Sequence, residues 1–241
     1  MPRALPTGIV LVLAIGLAGP ALAQAVTLDF GDQGSLTLRS IQLFALITVL
    51  SLAPGLAIMV TCFPFMVTVF SILRQAIGLQ QAPPNMMIIS LALFLTWYVM
   101  QPVIDAAWAA GIAPLLDGTI TPEEAFHLGI APFRSFMQAR IDPDLAATLS
   151  HARDPLVPAD ANSLPVLVPA FLLSEVQRAF EVGFLIFLPF LIIDLVVAAI
   201  LMSMGMMMVP PAIVSLPFKL AFFVVADGWG LLAGALVRGY Q

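Results

Sequence analysis

Charge is scarce in this 241-residue chain. Only 10% of its side chains are charged, against 61% hydrophobic, and the mean hydropathy is +1.06. Those values exclude a soluble globular domain and indicate an integral membrane protein. Nine bases stand against fourteen acids, a net charge of −5. The chain therefore lacks the basic surface with which a nucleic-acid binder neutralises phosphates. Cys62 is the single cysteine, so no internal disulfide can form, and two histidines cannot complete a Cys/His metal centre. The glycine patterns of nucleotide sites, HExxH and GxSxG are all missing. Nothing here reads as an enzyme or as a cofactor site, so any energy the protein uses must come from elsewhere.

What the chain does have is apolar length. From Phe184 to Lys219 it reads FLIFLPFLIIDLVVAAILMSMGMMMVPPAIVSLPFK, and between Glu181 and Lys219 the only charge is Asp194. Hydrocarbon cannot solvate a carboxylate, so an acid in such a run marks a site with a partner. Beyond it, Ser203-Met204-Gly205-Met206-Met207-Met208 leads into Val209-Pro210-Pro211, a soft apolar turn. If the flanking segments are antiparallel helices, Asp194 lies about 18 Å before the turn and Lys219 about 12 Å after it. A lysine stem can cover much of that difference.

The N-terminus has the layout of a cleaved secretory signal: Arg3, an apolar core from Ile9 to Leu17, then Ala21-Leu22-Ala23 before Gln24. Cleavage between Ala23 and Gln24 is expected, since the core is too short to span a bilayer comfortably. A short periplasmic stretch, 24–39, follows. Residues 40–104 read as a first hydrophobic hairpin, with apolar segments Ile41–Phe63 and Met86–Val103. Pro54-Gly55 and Pro64 are expected to bend or break the first of them. Gly78 can end one helix and Pro83-Pro84 can open the next. Residues 105–165 hold eight acids against three arginines, with both His127 and His151. They read as a small, mainly helical periplasmic segment, in which Thr121-Pro122-Glu123-Glu124 is a helix start. A second hairpin, 166–241, carries segments from about Val182 to Met204 and from Ala212 to about Leu236. At its start, Glu175, Arg178 and Glu181 are spaced so that Arg178 can reach either acid along one helix. The fold expected is an all-α membrane protein with about four apolar segments in two hairpins.

Several stretches resemble the FliP family of export-gate proteins. They are Leu73-Arg74-Gln75-Ala76, Gln80-Gln81, Pro83-Pro84-Asn85 and Leu91-Ala92-Leu93-Phe94-Leu95-Thr96 in the first half. In the second they are Phe171-Leu172-Leu173-Ser174-Glu175, Phe184-Leu185-Ile186-Phe187, Phe190-Leu191-Ile192-Ile193-Asp194, Met204-Gly205-Met206-Met207-Met208 and Leu216-Pro217-Phe218-Lys219. The likeness covers most of the chain after residue 40. It is looser over 105–165, where Pro132-Phe133-Arg134-Ser135-Phe136-Met137 keeps a trace of the family's arginine-rich pattern. Where the family commonly reads Thr-Ser-Phe-Thr and a basic residue, this chain has Thr61-Cys62-Phe63-Pro64-Phe65, so a basic contact at Phe65 is lost.

The resemblance implies a pore-forming subunit of the flagellar type III export gate, in the bacterial inner membrane and flagellar basal body. It implies a homo-oligomer assembled with FliQ and FliR, with FlhA- and FlhB-like proteins beside it, passing unfolded export substrates. It further implies that the gate sits largely above the membrane plane, with hairpins packed on neighbouring subunits; membrane lipid is a further expected partner. A virulence injectisome subunit is the nearer alternative, and a secondary transporter or ion channel using Asp194 the more distant one.

On composition alone, Met204, Met206, Met207 and Met208 read as packing or lipid-facing side chains. The resemblance turns them into a pore gasket, because adaptable thioethers can close on one another and an apolar constriction blocks ions by dewetting. Asp194 and Lys219 read either as an ion pair holding subunits in register or as an intrachain pair that makes the hairpin tolerable. Glu175 and Arg178 read either as an intersubunit contact or as a local helix salt bridge.

Overall fold

The computed structural model describes residues 36–79, 82–152, 162–206 and 208–240. The expected cleavage site at Ala23 and Gln24, with Met207, Gln80, Gln81, Arg153, Asp154 and Asp160, lies outside them. The described residues form helices and no strand. The chain divides into two units, residues 1–50 and 51–241. Helix α1, Leu36–Met59, crosses that division. In the first unit its side chains from Ser40 onward are exposed.

The second unit is built on α2, Phe63–Ile77, a 15-residue helix whose buried side chains are Phe65, Met66, Val69, Phe70, Leu73, Ala76 and Ile77. That three-and-four spacing is one broad apolar face. It packs chiefly against α7, Leu164–Ser203, a single helix of 40 residues, about 60 Å long at 1.5 Å per residue. On α7 the buried residues Leu167, Phe171, Glu175, Ala179 and Gly183 repeat every fourth position, and Phe190 and Val197 continue the stripe at seven. At Gly183 the side chain of Ile72 fills the space a Cβ would take.

Helix α3, Asn85–Ala107, presents Ile88, Ala92, Thr96 and Met100 to the same core. It continues through a π-helical turn, Trp108–Ile112, into α4, Ala113–Leu116. The polar part follows as α5, Pro122–Gln138, and α6, Pro143–His151. Thr121 caps α5 in a reciprocal box with Glu124, so the first-turn acids sit where orphan N–H groups need acceptors. Finally α8, Pro211–Val225, and α9, Gly228–Arg238, meet at 62°.

Among the described residues three helical runs are long and apolar enough to cross a membrane: Ser40–Met59, Asn85–Leu116 and Leu164–Ser203. The bent pair α8–α9 makes a fourth if it is one broken span. An all-α membrane protein is therefore the fold.

Two boundaries differ from expectation. The first apolar segment does not reach Phe63, and Pro54-Gly55 does not end it. It stops at Met59, and Phe63-Pro64 opens α2 with proline in the first turn, where its missing N–H costs nothing. Residues 40–104 thus hold a further helix, α2, between their two apolar segments. Likewise, the fourth segment is not continuous to Leu236. Asp227 turns into the left-handed region at φ 49° and starts a new helix.

At the π turn, Gly111 packs backbone to backbone on α5. A Cβ on Gly111 would lie 2.7 Å from the Ala125 carbonyl oxygen and 2.9 Å from Gly129 Cα, whereas one on Gly129 would meet nothing nearer than 3.9 Å. Gly111→Ala is expected to destabilise the protein by about 1–3 kcal/mol through forced separation of the two helices, while Gly129→Ala is tolerated. Thermal unfolding in detergent checks the contrast, and equal midpoints for the two variants would refute it.

Candidate functional site

Lys219 and Asp194 meet. Their Nζ and Oδ2 atoms are 2.6 Å apart, with the lysine nearly buried and the aspartate side chain 30% exposed. The pair sits in a node that includes two further groups. Ser215, one turn before Lys219 on α8 and so on the same face, donates its hydroxyl to Asp194 Oδ1 at 2.5 Å. Lys219 Nζ also donates to the carbonyl of Ala76 at 3.1 Å.

That carbonyl is available for a local reason. Gly78, at φ 91°, ends α2 in a left-handed cap, in which the Gly78 and Leu79 N–H groups bond Gln75 and Arg74. The Ala76 oxygen is left as an orphan at the negative end of the helix, where an ammonium is favourable. The node therefore ties α2, α7 and α8 together through one cation. Asp194 and Lys219 were legible in sequence as the lone charges of an apolar run. Ser215 could have been found only by its four-residue offset from Lys219, and the Ala76 carbonyl by no sequence signal.

Glu175 does not pair with Arg178. It lies wholly buried in the stripe of α7 that faces α2, and it accepts from Arg140 Nε at 2.7 Å. The Tyr240 hydroxyl donates to its other oxygen. Arg140 in turn donates to the Gly239 carbonyl at 2.9 Å and lies with its guanidinium carbon 3.7 Å from the Tyr240 ring centroid. Phe65 meets Tyr240 edge-on and Phe136 stacks on it. Position 65 is thus part of an aromatic packing around the chain's end. Burial, and next the Glu175 charge, push the Tyr240 phenol above its ordinary range. Burial likewise pushes the Cys62 thiol up to about 12, as expected for a small core side chain. Neighbouring Ser174 accepts from the Asp142 N–H at 2.9 Å, and Glu181 accepts from Gln177 at 3.3 Å. Arg178, half-buried, makes no ion pair among the described residues.

The methionine turn closes α7. Gly205, at φ 74°, takes the left-handed position, and the Met206 and Gly205 N–H groups bond Leu201 and Met202, a helix-ending pattern that glycine makes inexpensive. Pro210 and Pro211 then start α8. Met204, Met206 and Met208 are exposed by 65, 42 and 97%. The turn thus presents apolar side chains outward, as many helices of this chain do. Among the described residues no group of three or more His, Cys, Asp or Glu side chains could hold a metal. His127 and His151 are both exposed.

The chain matches the FliP family over residues 46–236. Three similar proteins bear the name flagellar biosynthetic protein FliP. That of Caulobacter vibrioides is 53% identical over 92% of this chain and 84% of its own length. That of Agrobacterium fabrum is 49% identical over 95% and 97%. That of Bacillus subtilis is 43% identical over 83% and 92%. With a family match over most of the chain and relatives aligned nearly end to end, this protein belongs to the FliP family.

Proposed function

We propose that this protein is a pore-forming subunit of the flagellar type III protein export gate, passing unfolded flagellar subunits out of the cytoplasm. Family membership carries the coarser statement, a component of the flagellar export apparatus; the pore is the added step. The observation that carries it is the turn between α7 and α8, where Met204, Met206 and Met208 stand exposed on an apolar loop. Several copies of such a turn around an axis make a dry, deformable ring. It would exclude ions when closed and yield to many side-chain shapes when filled. The partners are further copies of this chain, FliQ, FliR, and FlhA- and FlhB-like proteins, in the inner membrane after loss of residues 1–23. The names of the relatives support the flagellar branch over an injectisome. In this reading Asp194 and Lys219 hold the hairpin that presents the turn, and the Glu175 cluster fixes the other end of α7. Arg178 is free for a contact outside the chain.

A photoreactive residue at Met208 tests the pore. With a folded tag stalling an export substrate in transit, it is expected to capture that substrate, whereas the same residue at Phe94, exposed on the flank of α3, captures none. Met206→Ser with Met208→Ser is expected to raise ion leakage across the membrane, because hydroxyls wet the constriction. Lipid adducts at Met208 in place of substrate, with no added leakage, would be fatal to the reading.

A further inference from the structure

We infer that one face of the helical hairpin formed by the end of α3, the π turn, α4 and α5 is a docking surface for a basic segment of another protein. Ala107 and Gly111 lie against Gly129 and Ala125, so the two arms run antiparallel along that line. Trp108, Ile112, Phe126 and Ile130 each follow one of those residues, and one residue turns about 100° around a helix. On antiparallel helices that turn points both arms to the same side. A single apolar face results, continued by Leu116 one turn beyond Ile112. Trp108, Ile112, Leu116 and Phe126 are exposed by 53, 44, 73 and 60%.

Lipid is a poor cover for this face. The helical run Asn85–Leu116 has 32 residues, about 48 Å at 1.5 Å per residue, whereas hydrocarbon takes about 20 residues. Counted from Asn85, that length ends just before Asp105. Asp105, Asp117 and Glu123 all stand at the remaining end, exposed and in no ion pair among the described residues. Hydrocarbon could cover the face only by taking these carboxylates with it, and it cannot solvate them.

The same acids choose the partner. Asp105 comes about one turn before Trp108, Glu123 about one turn before Phe126, and Asp117 directly follows Leu116. Carboxylates therefore rim the apolar side chains on both arms. An apolar centre within a rim of one charge is complemented by apolar side chains flanked by lysine or arginine. A second copy of this chain is a poor match. Its net charge is −5, and of its described bases Arg74, Arg140 and Lys219 are already bonded within the chain. The occupant is a segment of a different protein, with apolar anchors for Trp108 and Phe126 and basic residues beside them.

The test uses the full chain purified with its co-assembling proteins in uncharged detergent. The probes are two labelled helical peptides with the same leucine and tryptophan stripe, one carrying lysine beside it and the other glutamate. The lysine peptide is expected to bind about tenfold tighter, three exposed ion pairs being worth a few-fold each. High salt is expected to shrink the difference. Asp105→Asn with Glu123→Gln is expected to remove most of it, and Phe126→Ala to weaken both peptides alike. Asp105→Lys with Glu123→Lys is expected to reverse the preference, a result that misfolding cannot give. Equal binding of the two peptides to the unaltered protein overturns the inference, as does a preference that the double lysine variant leaves in place. In cells, a photoreactive residue at Phe126 is expected to capture a chain other than this one through a lysine- or arginine-bearing segment. Capture of a second copy, or of lipid, overturns the inference too.

Discussion

Cells carrying Asp194→Ala are expected to be non-motile, to secrete no flagellar subunits and to lack the assembled complex in detergent extracts. The reason lies in what the substitution strands. Lys219 stays almost wholly buried, with the Ala76 carbonyl as its remaining acceptor, and the Ser215 hydroxyl loses the carboxylate it bonds. Removing one member of a buried pair costs about 3–5 kcal/mol, because the other is left desolvated and unpaired. The partial exposure of Asp194 puts the expected cost at the lower end of that range. The loss would fall on the hairpin, since Lys219 adds a polar tie between the end of α2, α7 and α8 to their apolar packing. Asp194→Ala with Lys219→Met separates the two readings of the pair. If the charges only make the hairpin tolerable, the double variant recovers stability and export together, as apolar replacement of buried pairs often does. If they hold copies in register, stability returns without export. Normal motility in Asp194→Ala would rule out both.

The second large effect is expected at Glu175. Glu175→Ala leaves Arg140 without its anion and the Tyr240 hydroxyl without this acceptor, although both side chains are only partly buried and Arg140 keeps the Gly239 carbonyl. A loss of about 3 kcal/mol, the lower end of the range for a buried pair, follows, a large share of a marginal domain's stability. Two milder variants grade the cause. Glu175→Gln keeps the shape and a carbonyl acceptor but loses the charge, and is expected to fall between. Tyr240→Phe removes one hydroxyl from Glu175, at about 1–2 kcal/mol, while keeping the ring that Arg140, Phe65 and Phe136 pack against. Thermal unfolding of the three proteins in the same detergent gives the order. An unchanged midpoint for Glu175→Ala would mean that water reaches this site and that the cluster contributes little.

Arg178 illustrates how sequence spacing misleads. Three residues from Glu175 and three from Glu181, it had two acids within helical reach, which licenses a salt bridge on an isolated helix. In the folded chain the choice is made by faces. Glu175 belongs to the stripe that repeats every fourth residue and is buried, so its partner must come across the core, from Arg140, 35 residues earlier. No local pattern encodes that partner. The same holds for Tyr240, whose role depends on α9 returning to the start of α7.

The breaks divide in the same way. Gly78, Pro84 and the Thr121 cap were legible because the signals are local: a left-handed cap, a proline before a helix, a hydroxyl three residues before an acid. In sequence, Asp227 is a charge inside the apolar stretch from Ala212 to about Leu236. That it turns the chain between α8 and α9 depends on packing, with Phe223 against Trp229 across the bend at 5.4 Å between ring centroids.

By itself, the sequence determined that this is a helical membrane protein with one carboxylate and one ammonium set in its longest apolar stretch, and with a methionine loop ahead of two prolines. Hydropathy, helix caps and the cost of charge in hydrocarbon act over a few turns of chain, so they can be read in order. Tertiary structure alone decided which carbonyl completes the lysine's shell, which arginine neutralises Glu175, and that the last tyrosine closes the core. Those choices depend on which faces meet when distant helices pack, a relation between residues up to 143 positions apart.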